Sequence, residues 1–366
     1  MKKIAIASCA LLLMGKMAQS QGCVAIRSTG AVCTRQEAGT GDAKSWQFNT
    51  SYRFFKSYKH FVGTEEQHER VDSGTDVRNW QHALNLTLVR HFSNRFSMSL
   101  DVPLLSNTRT SKYEHYGNPS KNPLARRATH ATGVGDIRVS AAYWLLDPAK
   151  SRKGNIQIGL GIKFATGNYR VEDYFWKNDT TSVLGPVDQS IQLGDGGTGI
   201  TAELNAYYNF TSSFGVYGNF YYLSNPMEQN GVSTGRGTIP AANSTAVKYF
   251  TNTMSVPDQY MLRGGANVIL DKFTASAGVR MEAIPSEDLI GGSRGFRRPG
   301  YVVSIEPAAS YSLKNFTVFA AVPWAIKRDR TQSYSDKLRT TAAQKVQGDA
   351  AFADYSVNFG FSYRFH

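Results

Sequence analysis

Read in steps of two, the chain sorts its side chains into opposing sets. Near its end Tyr355, Val357, Phe359, Phe361, Tyr363 and Phe365 alternate with Ser356, Asn358, Gly360, Ser362 and Arg364. A period of two sends successive side chains to opposite faces of a strand, here one aromatic and one polar. The rhythm recurs upstream in Trp46–Phe54, Trp80–Phe92, Phe96–Leu104, Val139–Leu145, Ile156–Phe164, Ile200–Phe210 and Phe214–Tyr222. It continues in Tyr260–Leu270, Phe273–Met281, Tyr301–Leu313 and Phe316–Ile326. With the terminal strand this predicts about twelve strands, an even number.

The connections alternate too. Short polar turns are expected near Ser93-Asn94, Asp147-Pro148, Ser212-Ser213, Asp271-Lys272 and Lys314-Asn315, and long polar segments near 58–78, 106–132, 168–196, 226–257, 286–300 and 328–351. Strict short–long alternation fits hairpins with turns at one membrane face and loops at the other. A soluble β-sandwich also alternates, but its strands run about five or six residues. A tilted membrane strand needs about nine to eleven. The expected fold is therefore all-β: a transmembrane antiparallel β-barrel of about 12 strands, with short periplasmic turns and long extracellular loops.

The first residues change where this chain is expected to reside. Lys2 and Lys3, the apolar run Ile4–Met14 and Ala18-Gln19-Ser20 have the form of a cleaved export signal spanning 1–20. Removing Lys2, Lys3 and Lys16 with it lowers the formal charge from +13 to +10. Export makes nucleic acid an unsuitable partner for that charge, leaving anionic lipid headgroups or solutes. Expected surroundings are the outer membrane of a Gram-negative bacterium, its lipid and lipopolysaccharide, and the barrel-assembly machinery that reads an aromatic terminal strand. Cys9 goes with the leader. Cys23 and Cys33 are left in segment 21–44, which either hangs in the periplasm or plugs the barrel of 45–366. In an oxidising compartment two nearby cysteines are expected to pair.

Short motifs in this strand context carry a family resemblance. Ser99-Leu100-Asp101-Val102-Pro103-Leu104 is followed by Gly133-Val134-Gly135-Asp136-Ile137-Arg138, by Phe164-Ala165-Thr166-Gly167-Asn168-Tyr169, and by Gly194-Asp195-Gly196-Gly197-Thr198-Gly199. Their order resembles the outer-membrane proteins of the phenol-degradation meta-pathway family, whose usual Pro-Thr-Gly-Asp is Ala165-Thr166-Gly167-Asn168 here. The resemblance implies a transporter-like barrel for small aromatic or hydrophobic compounds, and supplies no catalytic residue.

Parity then assigns the inner face. Arg53, Asp101, Arg138, Lys163, Glu203, Arg263, Arg280, Glu282, Glu306, Lys327, Asp354 and Arg364 are expected to point inward, as are Tyr207, Tyr217 and Tyr221 beside Asn205 and Asn219. A basic residue facing hydrocarbon costs about 2–4 kcal/mol, so charges belong in a wet interior. Such a set serves either as a selectivity ring or as salt bridges that fill the bore. The expected function is passive passage of small solutes, hydrophobic, aromatic or weakly anionic, without cofactor or metal.

Two other functions compete. A membrane-embedded hydrolase would need a base within reach of a nucleophile, and His91 with Ser93 is the best pair. A structural or adhesive barrel would bind partners through its loops. His60 and His68 share the first loop with Glu65, Glu66, Glu69 and Asp72, more simply read as solvated charge than as a metal site. Arg109, Lys112, Lys121, Arg126 and Arg127 against Glu114 make the second long loop basic, suited to lipopolysaccharide phosphates.

Overall fold

The computed structural model describes residues 44–113 and 122–366. The expected leader, the segment 21–43 and the Cys23–Cys33 pair lie outside the described residues, as do Glu114 and Lys121. In chain order the strands begin with β1 (Trp46–Val62), β2 (Glu65–Glu66), β3 (Arg78–His91), β4 (Phe96–Lys112), β5 (Arg126–Val134), β6 (Arg138–Trp144) and β7 (Gly154–Lys163). Next come β8 (Glu172–Trp176), β9 (Ser182–Pro186), β10 (Gly199–Asn209), β11 (Phe214–Ser224), β12 (Gln229–Ser233) and β13 (Thr253–Ser255). The series ends with β14 (Gln259–Leu270), β15 (Phe273–Ile284), β16 (Gly300–Leu313), β17 (Phe316–Ala321), β18 (Trp324–Asp329) and β19 (Ala350–Phe365).

These build a closed antiparallel barrel of twelve staves. Each neighbour in sequence pairs with the next, and β19 pairs with β1 from Trp46↔Phe365 to Phe61↔Ala350, so no edge remains open. Two staves come in two pieces. β5 and β6 share one, both pairing with β4 and separated by Gly135-Asp136-Ile137. β17 and β18 share another, separated by Val322-Pro323, where proline withholds a ladder donor. β8 with β9, and β12 with β13, are small ribbons within the long loops.

Which face is outside follows from exposure. Leu160, Ile200, Leu262, Val279, Ile305 and Phe359 are apolar and exposed, while Arg263, Arg280, Glu306, Asn219 and Asn358 on the opposite parity are buried. The arrangement is inverted relative to a soluble protein, as a lipid-facing wall requires. No described helix is long and apolar enough to cross a membrane. Aromatic pairs mark the short-turn rim, among them Phe210–Phe214, Phe92–Phe96 and Tyr363–Phe365.

The second long connection is shorter than its polarity suggests. β4 runs to Lys112 and β5 starts at Arg126, so both strands project past the wall on the loop side. The third is not a solvated loop throughout. Val187, Ile191 and Leu193 pack on Leu105 and Ala131 of the inner wall. Gln81 and Asn107 of that wall donate to the Ser190 and Ile191 carbonyls at 2.9 and 3.1 Å.

One seam in the wall is thin. Between β18 and β19 a single pair, Trp324↔Tyr355, is in register. Arg328 spans the gap above it: its Nε donates to the Ala353 carbonyl at 3.0 Å and its guanidinium meets Asp354 at 2.7 Å. Higher still, Gly63 and Arg330 exchange backbone hydrogen bonds at 3.0 and 2.8 Å.

Candidate site on the inner wall

The strand register brings the inward charges into contact. Arg53 of β1 meets Glu282 of β15 at 2.9 Å, although three staves separate them along the wall. Arg280 bridges Glu282 at 2.8 Å and Glu306 at 3.1 Å, and Arg263 closes on Glu306 at 2.5 Å. The chain Arg53–Glu282–Arg280–Glu306–Arg263 is thus continuous, with Glu306 fully buried. A lone charge at such depth would lose several kcal/mol of hydration, and alternation of sign offsets that cost.

A second cluster sits across the bore. Arg138 meets Asp101 at 3.2 Å and Glu203 at 2.6 Å, with its guanidinium 5.5 Å from the centre of the Tyr221 ring. Lys163 lies between Asp136, at 3.6 Å, and Asp195, which it contacts more closely. Asp136 also accepts the backbone N–H groups of Gly167 and Asp195 at 2.9 and 3.2 Å. That ties the glycine-rich run after the third loop to the break between β5 and β6. Asp136 and Asp195 were not among the inward charges expected by parity, because both sit where the alternation stops.

Tyrosines cover the wall of β10 and β11. The Tyr207 hydroxyl donates to the Ser151 carbonyl at 3.0 Å, which uses it in anchoring a turn. Tyr217 lies beneath Arg263, 5.7 Å from ring centre to guanidinium. Its hydroxyl occupies the space side chains would take at Gly265 and Gly278, where a Cβ would come within 2.8 and 2.7 Å of it. Between these rings runs an amide ladder: Asn205 donates to Gln157 at 3.1 Å and Asn219 to Asn205 at 2.7 Å.

Two residues expected inward are elsewhere. Ser304 stands opposite Ala325 but Val303 stands opposite Lys327, so Ile326 is an extra residue and the parity of β18 flips. Lys327 is consequently exposed beside outward Val303, with its ammonium over the Tyr301 ring at 5.2 Å. Asp354 falls inside a register shift of the β1–β19 pairing, between Ala353 opposite Ser57 and Ser356 opposite Phe55. Its carboxylate goes to Lys59 at 3.1 Å, to Arg328 and to the Tyr58 hydroxyl, and takes no part in the inner ladder.

One carboxylate joins the third loop both to the wall and to the loop before β16. Asp188, in the infolded segment, meets Arg109 of the wall at 3.5 Å and Arg298 of the loop before β16 at 2.6 Å. Burial pushes its carboxyl upward, but the two guanidinium charges prevail and hold it well below the ordinary carboxylate range. Arg109, read from sequence as a surface contact for phosphates, is therefore buried in the mouth.

The enzymatic and metal candidates have other occupations. His91 bonds Gln47 at 3.1 Å, whereas the Ser93 hydroxyl accepts the N–H groups of Arg95 and Phe96 within its turn. His60 contacts Asp349 at 2.7 Å and takes the Val77 N–H at 2.8 Å, while His68 is near Glu66. Among the described residues no cluster of three His, Cys, Asp or Glu is placed to hold a metal.

Comparison with known proteins rests on shape. No family model and no curated protein matches the sequence. Among solved structures, an outer membrane channel from Pseudomonas putida F1 shares 11% identity over 92% of this chain and 100% of that one, with a TM-score of 0.57. The chain folds as an outer-membrane β-barrel. Looser likenesses include the toluene transporter TbuX of Ralstonia pickettii (10% identity, 89% of this chain and 90% of that one, TM-score 0.40). Another is the translocator domain of the autotransporter NalP from Neisseria meningitidis (10%, 90% and 91%, TM-score 0.43).

Proposed function

We propose that this barrel is a passive outer-membrane channel for small uncharged solutes, hydrophobic or aromatic, in line with the family resemblance of its motifs. The observation that carries the reading is the internal pairing of the wall charges. Arg53, Arg138, Lys163, Arg263 and Arg280 are all answered by Asp101, Asp136, Asp195, Glu203, Glu282 and Glu306. A ring that selected anions would keep cations in excess; these five cations face six carboxylates, and the further inward cations Arg109 and Arg364 are held by Asp188 and by the Gln47 amide. Of the uncharged groups on this wall the amides of Asn205 and Gln157 are half-buried, while Tyr207, Tyr217 and Tyr221 are buried against their neighbours and make its backing aromatic rather than charged.

The thin seam between β18 and β19 supplies a side route for an apolar solute. A pocket of about 60 Å³ runs from Arg53, Glu282 and Ser304 on the inner wall to Ala353 and Tyr355 at the seam. A solute leaving there would enter lipid directly, with Arg328 as the bar across the opening. Uptake by vesicles containing the purified full-length protein tests the reading, with benzyl alcohol as the neutral probe and benzoate as its anionic counterpart. Faster entry of the neutral probe is expected. Equal rates with and without protein, or preference for benzoate, would overturn it.

A further inference from the structure

We infer that the outer wall at the periplasmic rim holds a binding site for one anionic glycerophospholipid. The turn between β6 and β7 is unusually long for its side of the barrel. It spans nine residues, 145–153, where the other short turns span two to four. Leu145 and Leu146 at its start are exposed. Lys150, Arg152 and Lys153 follow, all exposed. The one acid of the turn, Asp147, is engaged by the Ala149 N–H and by Asn94.

The turn is held from inside the barrel. Tyr207 donates to the Ser151 carbonyl at 3.0 Å and Asn209 to the Arg152 carbonyl at 2.8 Å. Asn155 both accepts from the Leu146 N–H at 3.0 Å and donates to the Leu146 carbonyl at 2.8 Å. Three side chains thus fix a basic, leucine-tipped turn at the height of the inner-leaflet headgroups, where freedom would otherwise be expected of so long a connection.

Beside it the wall is hollow. A groove of about 760 Å³ is lined by Leu145, Ile156, Ala206, Tyr208, Val216 and Gly218, and the Lys153 ammonium stands over the Tyr208 ring at 5.7 Å. The missing bulk at Gly218 serves nothing in the protein. A Cβ there would meet only the Arg263 carbonyl, at 3.8 Å, and at its neighbour Gly264 only the Tyr217 carbonyl, at 3.6 Å. Inward Gly265 and Gly278 differ, since their missing Cβ atoms make room for the Tyr217 hydroxyl. The outward space has the scale of a ligand site, and in hydrocarbon an acyl chain is its natural occupant. A negative phosphate at the chain's head would lie among Lys150, Arg152 and Lys153, so charge complementarity selects an anionic headgroup over a zwitterionic one.

Native mass spectrometry of the full-length protein from mixed micelles of phosphatidylglycerol and phosphatidylcholine tests the assignment. One retained phosphatidylglycerol per barrel is expected, in preference to phosphatidylcholine. K150E/R152E/K153E should abolish the preference, and Gly218→Leu should lower retention of both lipids, with folding of each variant checked by its resistance to unfolding in detergent. Equal retention of the two lipids by the native protein would overturn the inference. So would unchanged preference in the folded charge-reversal variant, or unchanged retention in folded Gly218→Leu.

Discussion

Arg53 and Glu282 are 229 positions apart in the chain and 2.9 Å apart in the barrel, on staves that do not touch through backbone hydrogen bonds. Such a contact braces the bore from within. Glu282→Gln leaves Arg53 without its charge partner and Arg280 with Glu306 alone. Breaking one member of a buried pair costs about 3–5 kcal/mol, and a fall of that order in unfolding free energy is expected from denaturant titration. The same variant should shift single-channel ion selectivity toward anions.

Asp188 fastens the infolded third loop to both sides of the mouth. Asp188→Asn removes the charge that holds Arg109 and Arg298, so larger single-channel conductance is expected at neutral pH. Conductance equal to that of the native protein would show that Val187, Ile191 and Leu193 hold the segment unaided.

Acid should act only late on this fastening and on a second one, where Asp349 holds Arg70 and His60. Burial also raises Asp349, yet the hydrogen bond and charge of His60 and the charge of Arg70 outweigh it and keep the carboxyl below its ordinary range. A carboxylate depressed in the folded state stabilises at pH above its unfolded pKa and loses that contribution as pH falls through the folded value. Asp188 and Asp349 should therefore keep the loops docked from neutral pH to below about pH 4. Conductance recorded over that range is expected to stay flat and to rise only in stronger acid.

Glycines on the two faces should respond unequally to alanine. At Gly278 a Cβ meets the Gly264 carbonyl at 2.5 Å and the Tyr217 hydroxyl at 2.7 Å. Overpacking of this kind costs about 1–3 kcal/mol, so Gly278→Ala should lower the unfolding midpoint. Gly218→Ala meets open space and should stay within about 0.5 kcal/mol of the native protein. Parallel denaturant titrations compare them.

Strand number, hairpin rhythm and inner face were legible because a stave half in lipid and half in water must alternate at every step. The pattern fails where a residue is added or pairing stops. Ile326 is one such addition, and nothing in Trp-Ala-Ile-Lys marks it, so simple parity places Lys327 on the wrong face. Asp136 and Asp195 lie at strand breaks, where period two gives no direction. The infolded loop left a fainter trace: Val187, Ile191 and Leu193 are apolar residues within a segment read as polar, too irregular for a strand and too greasy for solvent. Ion pairs between distant staves depend on the curvature of the closed wall, which no local pattern encodes.

The two interrupted staves divide the barrel into storeys. Below Asp136 and Pro323 the strands form an unbroken hoop joined mostly by tight turns, while above them β5 and β18 part company with one of their neighbours. The lower storey is the continuous hoop; the upper carries the seam, the long loops and the mouth. Sequence can drift above the breaks, changing loops, seam and mouth, without endangering the cylinder beneath. One foundation can thus carry many different doorways.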